Sequence, residues 1–133
     1  MTIALHGLGI SRGIAIGPAL AGTAQFVLGE LSLPLRVVVV SRDSRAEEVL
    51  EHLQAVTAEL DQGDGVLILT DMYGATPTNV ARRINPGRPV KIVTGVNLPM
   101  LLHVLNYPGR DLEALAATAL EGGRQGILAV TDD

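Results

Sequence analysis

Apolar and polar positions follow two different rhythms along this chain, and the two alternate. Leu35 to Val40 and Val66 to Leu69 are unbroken apolar runs rich in β-branched residues, a pattern that suits strands covered on both faces. Between them Ala46, Val49, Leu50, Leu53, Val56, Thr57 and Leu60 recur every three or four residues, which predicts an amphipathic helix. Ser44-Arg45-Ala46-Glu47 has the form of a capping box at its start. Asp61 to Gly65 closes that helix and launches the central strand, which ends at Asp71. Thr76 is suited to cap the next helix, with Pro77 at its first position, and the helix runs to about Ile84 before Asn85-Pro86-Gly87 breaks it.

The same alternation continues to the C-terminus. Pro89 to Thr94 reads as a strand, Gly95 to Pro99 as a turn, and Pro99 to about Asn106 as a helix. Tyr107-Pro108-Gly109 is a break, Asp111 caps a helix through Leu120, and Gly122-Gly123 is its expected stop. Gly126 to Val130 is the last expected strand. The opening is less regular. Thr2 to Leu5 predicts a short strand ending at His6-Gly7; Gly13 to Gly17 is a possible second one; Pro18 to Leu28 carries Leu20, Ala24, Val27 and Leu28 at helical spacing, with Gly29 as a stop.

Strands alternating with helices over short connections give an α/β fold. The expectation is three layers: a mostly parallel central sheet of four strands with helices on both faces. The last strand would be an added C-terminal edge strand, antiparallel or exchanged with a second copy in a dimer. A chain of 133 residues is one domain, 1–133, with residues 1–21 as an atypical N-terminal segment.

Composition narrows the function classes. Nearly half the chain is hydrophobic (47%), yet it has one Phe, two Tyr and no Trp, so base-stacking nucleic-acid modules are disfavoured. Net charge is −4 and the ten Lys and Arg are scattered, which argues against nucleic acid or an anionic membrane as partner. There is no Cys, so thiolate metal sites and disulfides are excluded. No leader pattern and no apolar stretch of membrane-spanning length is present; the expectation is a cytoplasmic protein without direct membrane insertion.

The candidate chemistry lies at strand ends. His6 and Asp71 each close a predicted strand, and carboxyl ends of strands in one parallel sheet converge on one crevice. A carboxylate bonded to one imidazole nitrogen fixes the tautomer and frees the other nitrogen as a nucleophile. The N–H groups at the start of the helix after Asp71 favour an anion, phosphate above all. The plainer reading is a turn histidine and a turn-capping aspartate. His52 falls on the polar side of its helix, and His103 reads as a half-buried helix residue; no histidine has the company a metal site needs, so no metal and no cofactor is expected. Gly7 to Gly13 is a weak dinucleotide-type glycine pattern with one residue too many, and no acidic residue ends Leu35–Val40. Walker and Gly-x-Ser-x-Gly motifs are absent.

From about Gly29 to Ile127 the chain resembles the IIA component of the mannose family of the phosphoenolpyruvate-dependent sugar phosphotransferase system. Asp64 to Asn79 and Gly95-Val96-Asn97-Leu98-Pro99-Met100-Leu101 carry the likeness. The resemblance implies a phosphotransferase that works as a phosphohistidine carrier. It would take phosphate from HPr and pass it to a IIB domain or act in regulation, as a homodimer, often with an exchanged C-terminal strand, and with no cofactor. It makes His6 the acceptor and Asp71 the residue that orients it. It also makes Gly74, Ala75 and Thr76 the phosphate-binding turn, and Asn97 and Pro99 the second loop lining the pocket. The departure is at Leu8 to Gly17, which lengthens the path from His6 to the first helix. Gly7 to Ala19 instead looks like the opening of enzyme I, the phosphotransferase that charges HPr. If Gly13 to Ile16 is the true first strand, no histidine follows it. The alternative is then a degenerate, non-catalytic binding or regulatory module lacking an acceptor.

Overall fold

The computed structural model describes residues 2–9, 16–41, 45–61, 63–71, 83–84 and 89–131. Four strands and four helices are described there, in this order: β1 (Thr2–Gly9), α1 (Ile16–Leu28), β2 (Leu35–Ser41), α2 (Ala46–Leu60), β3 (Val66–Thr70), β4 (Val90–Thr94), α3 (Leu98–Leu105) and α4 (Leu112–Gln125). The strands form one sheet in the order β2-β1-β3-β4, with every neighbouring pair parallel.

β3 decides the layering. All five of its residues are buried, and its side chains go alternately to the two faces. Leu67 and Leu69 join Val93 of β4, Ala24 of α1, Met100, Leu101, Val104 and Leu105 of α3, and Leu115 and Ala119 of α4. Val66 and Ile68 join Val38 of β2, Ile84 and the apolar stripe of α2: Val49, Leu50, Leu53, Val56 and Leu60. Fully burying one such side chain stabilises the fold by about 1.5–3 kcal/mol, so this strand contributes more to the core than its length suggests. The three-layer, parallel α/β architecture read from the apolar rhythm is therefore present.

Three expectations need correction. First, β1 does not stop at Leu5. It pairs with β3 from Thr2 to His6, and with β2 from Ile3 to Gly9, opposite Ser41. The longer neighbour supplies ladder partners for Gly7 to Gly9, and that pairing overrides the poor strand propensity of glycine. Second, Gly122-Gly123 does not stop α4, which continues to Gln125 with both glycines buried. They lie close against α3: a Cβ on Gly122 would sit 2.5 Å from the His103 Cβ. Third, Gly126 to Val130 forms no strand within this chain. The run is apolar and short enough for a strand, but a strand needs a neighbour to complete its ladder. Ile127, Leu128 and Val130 are instead exposed.

The helix start at Ser44, the possible strand over 13–15, the helix after Pro77 and the Asn85-Pro86-Gly87 break lie outside the described residues. Arg45 occupies the N-cap position of α2 without a side-chain cap bond. Asn97 and Asp111 cap α3 and α4 through their side chains, accepting from Met100 N (2.9 Å) and Ala114 N (2.8 Å).

Two helical glycines predict opposite outcomes on substitution. Gly22 is exposed in α1 with nothing near its missing Cβ, so Gly22→Ala is expected to stabilise the protein by about 0.5–1 kcal/mol. Gly122→Ala gains the same helix propensity but drives a methyl into His103 Cβ and Cγ, which are held close to the α3 backbone. Overpacking of that kind costs about 1–3 kcal/mol, so net destabilisation is expected. Urea denaturation of the two variants checks both signs; a stabilised Gly122→Ala would contradict the packing described.

Candidate functional site

The strand order creates the site before any side chain is considered. From β1 the chain moves to β2 on one side, then returns to β3 on the other side of β1. That reversal is a topological switch point, and the crevice it opens lies at the carboxyl ends of β1 and β3. The Cα partner of His6 is Thr70, the last residue of β3, and Asp71 follows directly. The sequence brings these two residues to one crevice, and the register puts their backbones next to each other.

Asp71 is partly buried and firmly held. Its carbonyl accepts the Gly95 N–H at 3.1 Å, while the preceding carbonyl, of Thr70, accepts the Val96 N–H at 3.0 Å. Gly95 has φ +77°, a turn conformation that favours glycine, and this brings the β4–α3 loop back against the end of β3. The fully buried Thr70 hydroxyl donates to Asp71 Oδ1 at 3.4 Å, a long contact for this pair of groups. Thr70 was not singled out in the sequence. Its signal is a hydroxyl closing an otherwise apolar strand immediately before a carboxylate.

Asn97 and Pro99 also lie in this loop and the first turn of α3. Asn97 engages both halves of its amide. Its Oδ1 caps α3, and its Nδ2 donates to the Gly123 carbonyl of α4 at 3.0 Å. Pro99 is exposed and packs against Gly126 just past α4. Gly74, Ala75 and Thr76, the expected phosphate-binding turn, lie outside the described residues. Of His6 the structure describes the backbone, as part of β1.

The other histidines sit away from this crevice in the chain. His52 is exposed on α2. His103 is half-buried in α3, edge-on to Tyr107 with ring centroids 5.4 Å apart, and packed on Gly122. Among the described residues no group of three or more His, Asp or Glu is arranged to hold a metal ion. Gly7 and Gly9 of the glycine pattern lie inside β1, paired with β2, rather than in a phosphate-binding turn. A cleft of 250 Å³ lined by Asp64, Pro108, Gly109, Arg110 and Asp111 lies beside the start of β3, at the other end of that strand from Asp71. Among the described residues no helix is long and apolar enough to cross a membrane.

Known proteins share this arrangement. Residues 10–119 match the EIIA-man family model, described as the fructose IIA component of the phosphotransferase system. The chain is 36% identical over 111 residues to the mannose-specific EIIAB component of Escherichia coli; the match covers 81% of this chain and 34% of that protein. The chain thus spans about a third of the length of the curated relatives it matches. Its fold is similar to the mannose/sorbose-specific IIA subunit of Enterococcus faecalis, with TM-score 0.84, 24% identity, and 98% and 94% of the two chains covered. It also resembles the IIA protein associated with the fucose utilization operon of Streptococcus pneumoniae, with TM-score 0.71, 27% identity, and 90% and 88% covered. With the family model covering most of the sequence and the same fold around the β1/β3 crevice, the chain belongs to the mannose-type IIA family of the sugar phosphotransferase system.

Proposed function

We propose that this protein is a phosphohistidine carrier with His6 as its acceptor. It takes phosphate from phospho-HPr and passes it to a IIB domain, and it works as a homodimer that uses no cofactor. The observation that supports the proposal is the register His6↔Thr70, which puts the backbone of β1's histidine opposite the residue that precedes Asp71, at the switch point of the sheet. The EIIAB relative supports the IIB partner, since its printed name joins the two components. The exposed run Ile127 to Val130, apolar and without a strand neighbour in its own chain, supports exchange with a second copy.

The chemistry is a transfer between two imidazoles. One ring nitrogen of His6 attacks the phosphorus of phospho-HPr in line. The new N–P bond forms as the N–P bond to the HPr histidine breaks, and the departing imidazole keeps that electron pair. Asp71 accepts a hydrogen bond from the other ring nitrogen of His6, so the attacking nitrogen is the unprotonated one. Thr76 and the N–H groups of Gly74 and Ala75 bind the phosphoryl oxygens, where the start of the next helix favours negative charge.

A second reading has its own support. β1 continues three residues past His6 in register with β2, and the family match begins at residue 10, beyond His6. In that reading the chain is a IIA-like binding or regulatory module that carries no phosphate.

Incubation with phosphoenolpyruvate, enzyme I and HPr separates the two. Acid-labile phosphate is expected on the wild-type protein, retained in His52→Ala and His103→Ala and lost in His6→Ala. Label that survives His6→Ala, or no label at all, would overturn the carrier reading. Asp71→Asn is expected to lower the initial transfer rate by about 10²-fold, the usual weight of a positioned proton partner. Stopped-flow or quench measurement of that rate, with the variant shown to be folded, checks the role given to Asp71.

A further inference from the structure

An unbroken line of directional contacts connects Asp71 to the end of α4. Gly95 and Val96 donate their N–H groups to the carbonyls of Asp71 and Thr70. The next residue, Asn97, caps α3 with its Oδ1 and reaches across to the Gly123 carbonyl with its Nδ2. The α4 side of the joint is close-packed. A Cβ on Gly123 would lie 2.7 Å from Met100 Cε, and one on Gly126 would lie 2.4 Å from Pro99 Cγ. Directly beyond Gly126 begins the exposed apolar run Ile127 to Val130.

Capping alone does not call for asparagine here. Aspartate and serine cap a helix about equally well. What asparagine adds is a donor on the same short, planar group as the acceptor, and this joint uses both. Aspartate offers only acceptors, and would turn one of them toward the Gly123 carbonyl oxygen.

We infer that Asn97 is a positioning residue: it locks the Asp71–Val96 corner onto the C-terminal end of α4. The carboxylate and the point where the apolar tail leaves the domain are thereby held as one unit. For its effect on phosphoryl transfer the inference rests on the carrier reading above; the mechanical tie stands apart from that reading.

Asn97→Asp tests it, because the cap is kept and only the donor is lost. Amide hydrogen exchange by NMR is expected to quicken about tenfold at Gly95, Val96 and Gly126, the effect of losing one ordinary hydrogen bond, while α2 amides stay unchanged. In the phosphoryl-transfer assay kcat is expected to fall about tenfold with KM for phospho-HPr within twofold, the split expected of a residue that positions rather than binds. Unchanged exchange at Gly95 and Val96 would overturn the tie. Altered exchange with unchanged kcat would overturn the positioning role. A wild-type protein that accepts no phosphate would defeat the carrier reading alone, and the exchange measurement would still decide the tie. If the aspartate variant does not fold, Asn97→Ser, which also caps without reaching Gly123, serves in the same comparison.

Discussion

β3 is buried on both faces and hydrogen-bonded on both edges, and the rest of the fold is arranged to make that possible. A strand in this position cannot be covered by one layer. Leu67 and Leu69 require α1, α3 and α4 on one side, and Val66 and Ile68 require α2 on the other. Its backbone is satisfied only if β1 and β4 both run alongside it. The cover ends at Thr70, still fully buried, and the chain emerges at Asp71. The carboxylate therefore appears where the core stops, on a backbone fixed by the core and clamped by Gly95 and Val96.

The same constraint shapes the carboxyl end of the sheet. β1 and β3 are adjacent there but separated in sequence by α1, β2 and α2, which makes their junction a topological switch point. Residues from distant parts of the chain then reach one place without any loop having to be long: Asp71 from β3, the β4–α3 loop, and His6 from β1. The β4–α3 loop closes one wall of that crevice and also anchors α4. The end of β3 and the end of α4 are thereby joined through hydrogen-bonded, close-packed structure.

Much of this was legible in the sequence, and the failures share a cause. The apolar run Val66 to Leu69 and the three-and-four spacing of α2 fixed the layers, because burial on two faces or on one stripe leaves a distinct periodicity. Glycine misled twice. Gly7 and Gly9 suggested that β1 was over, and Gly122-Gly123 suggested that α4 was over. In each case a neighbour elsewhere in the chain, β2 or His103 on α3, set the outcome, and single-sequence propensity cannot see it. Gly126 to Val130 is a different case: among the described residues no strand pairs with it, which removes the edge strand within this chain and leaves the exchanged one as part of the proposal. Asp71 was found because a carboxylate ending a buried run is conspicuous. Thr70 was passed over although its signal is local, a hydroxyl just before the carboxylate, whereas the double duty of Asn97 reaches a residue far along the chain and leaves no mark in local spacing.

In the proposed carrier His6 and Asp71 form one unit at the β1/β3 crevice, with the carboxylate choosing which ring nitrogen carries the proton. The measurement that reads this most directly is the long-range ¹H–¹⁵N NMR spectrum of the histidine rings at a pH where they are neutral, in the wild-type protein and in Asp71→Asn. A single tautomer is expected for His6 in the wild type and a mixture of tautomers in the variant, with His52 mixed in both. A His6 ring that resembles His52 in the wild type, or that does not respond to loss of the Asp71 charge, would contradict it.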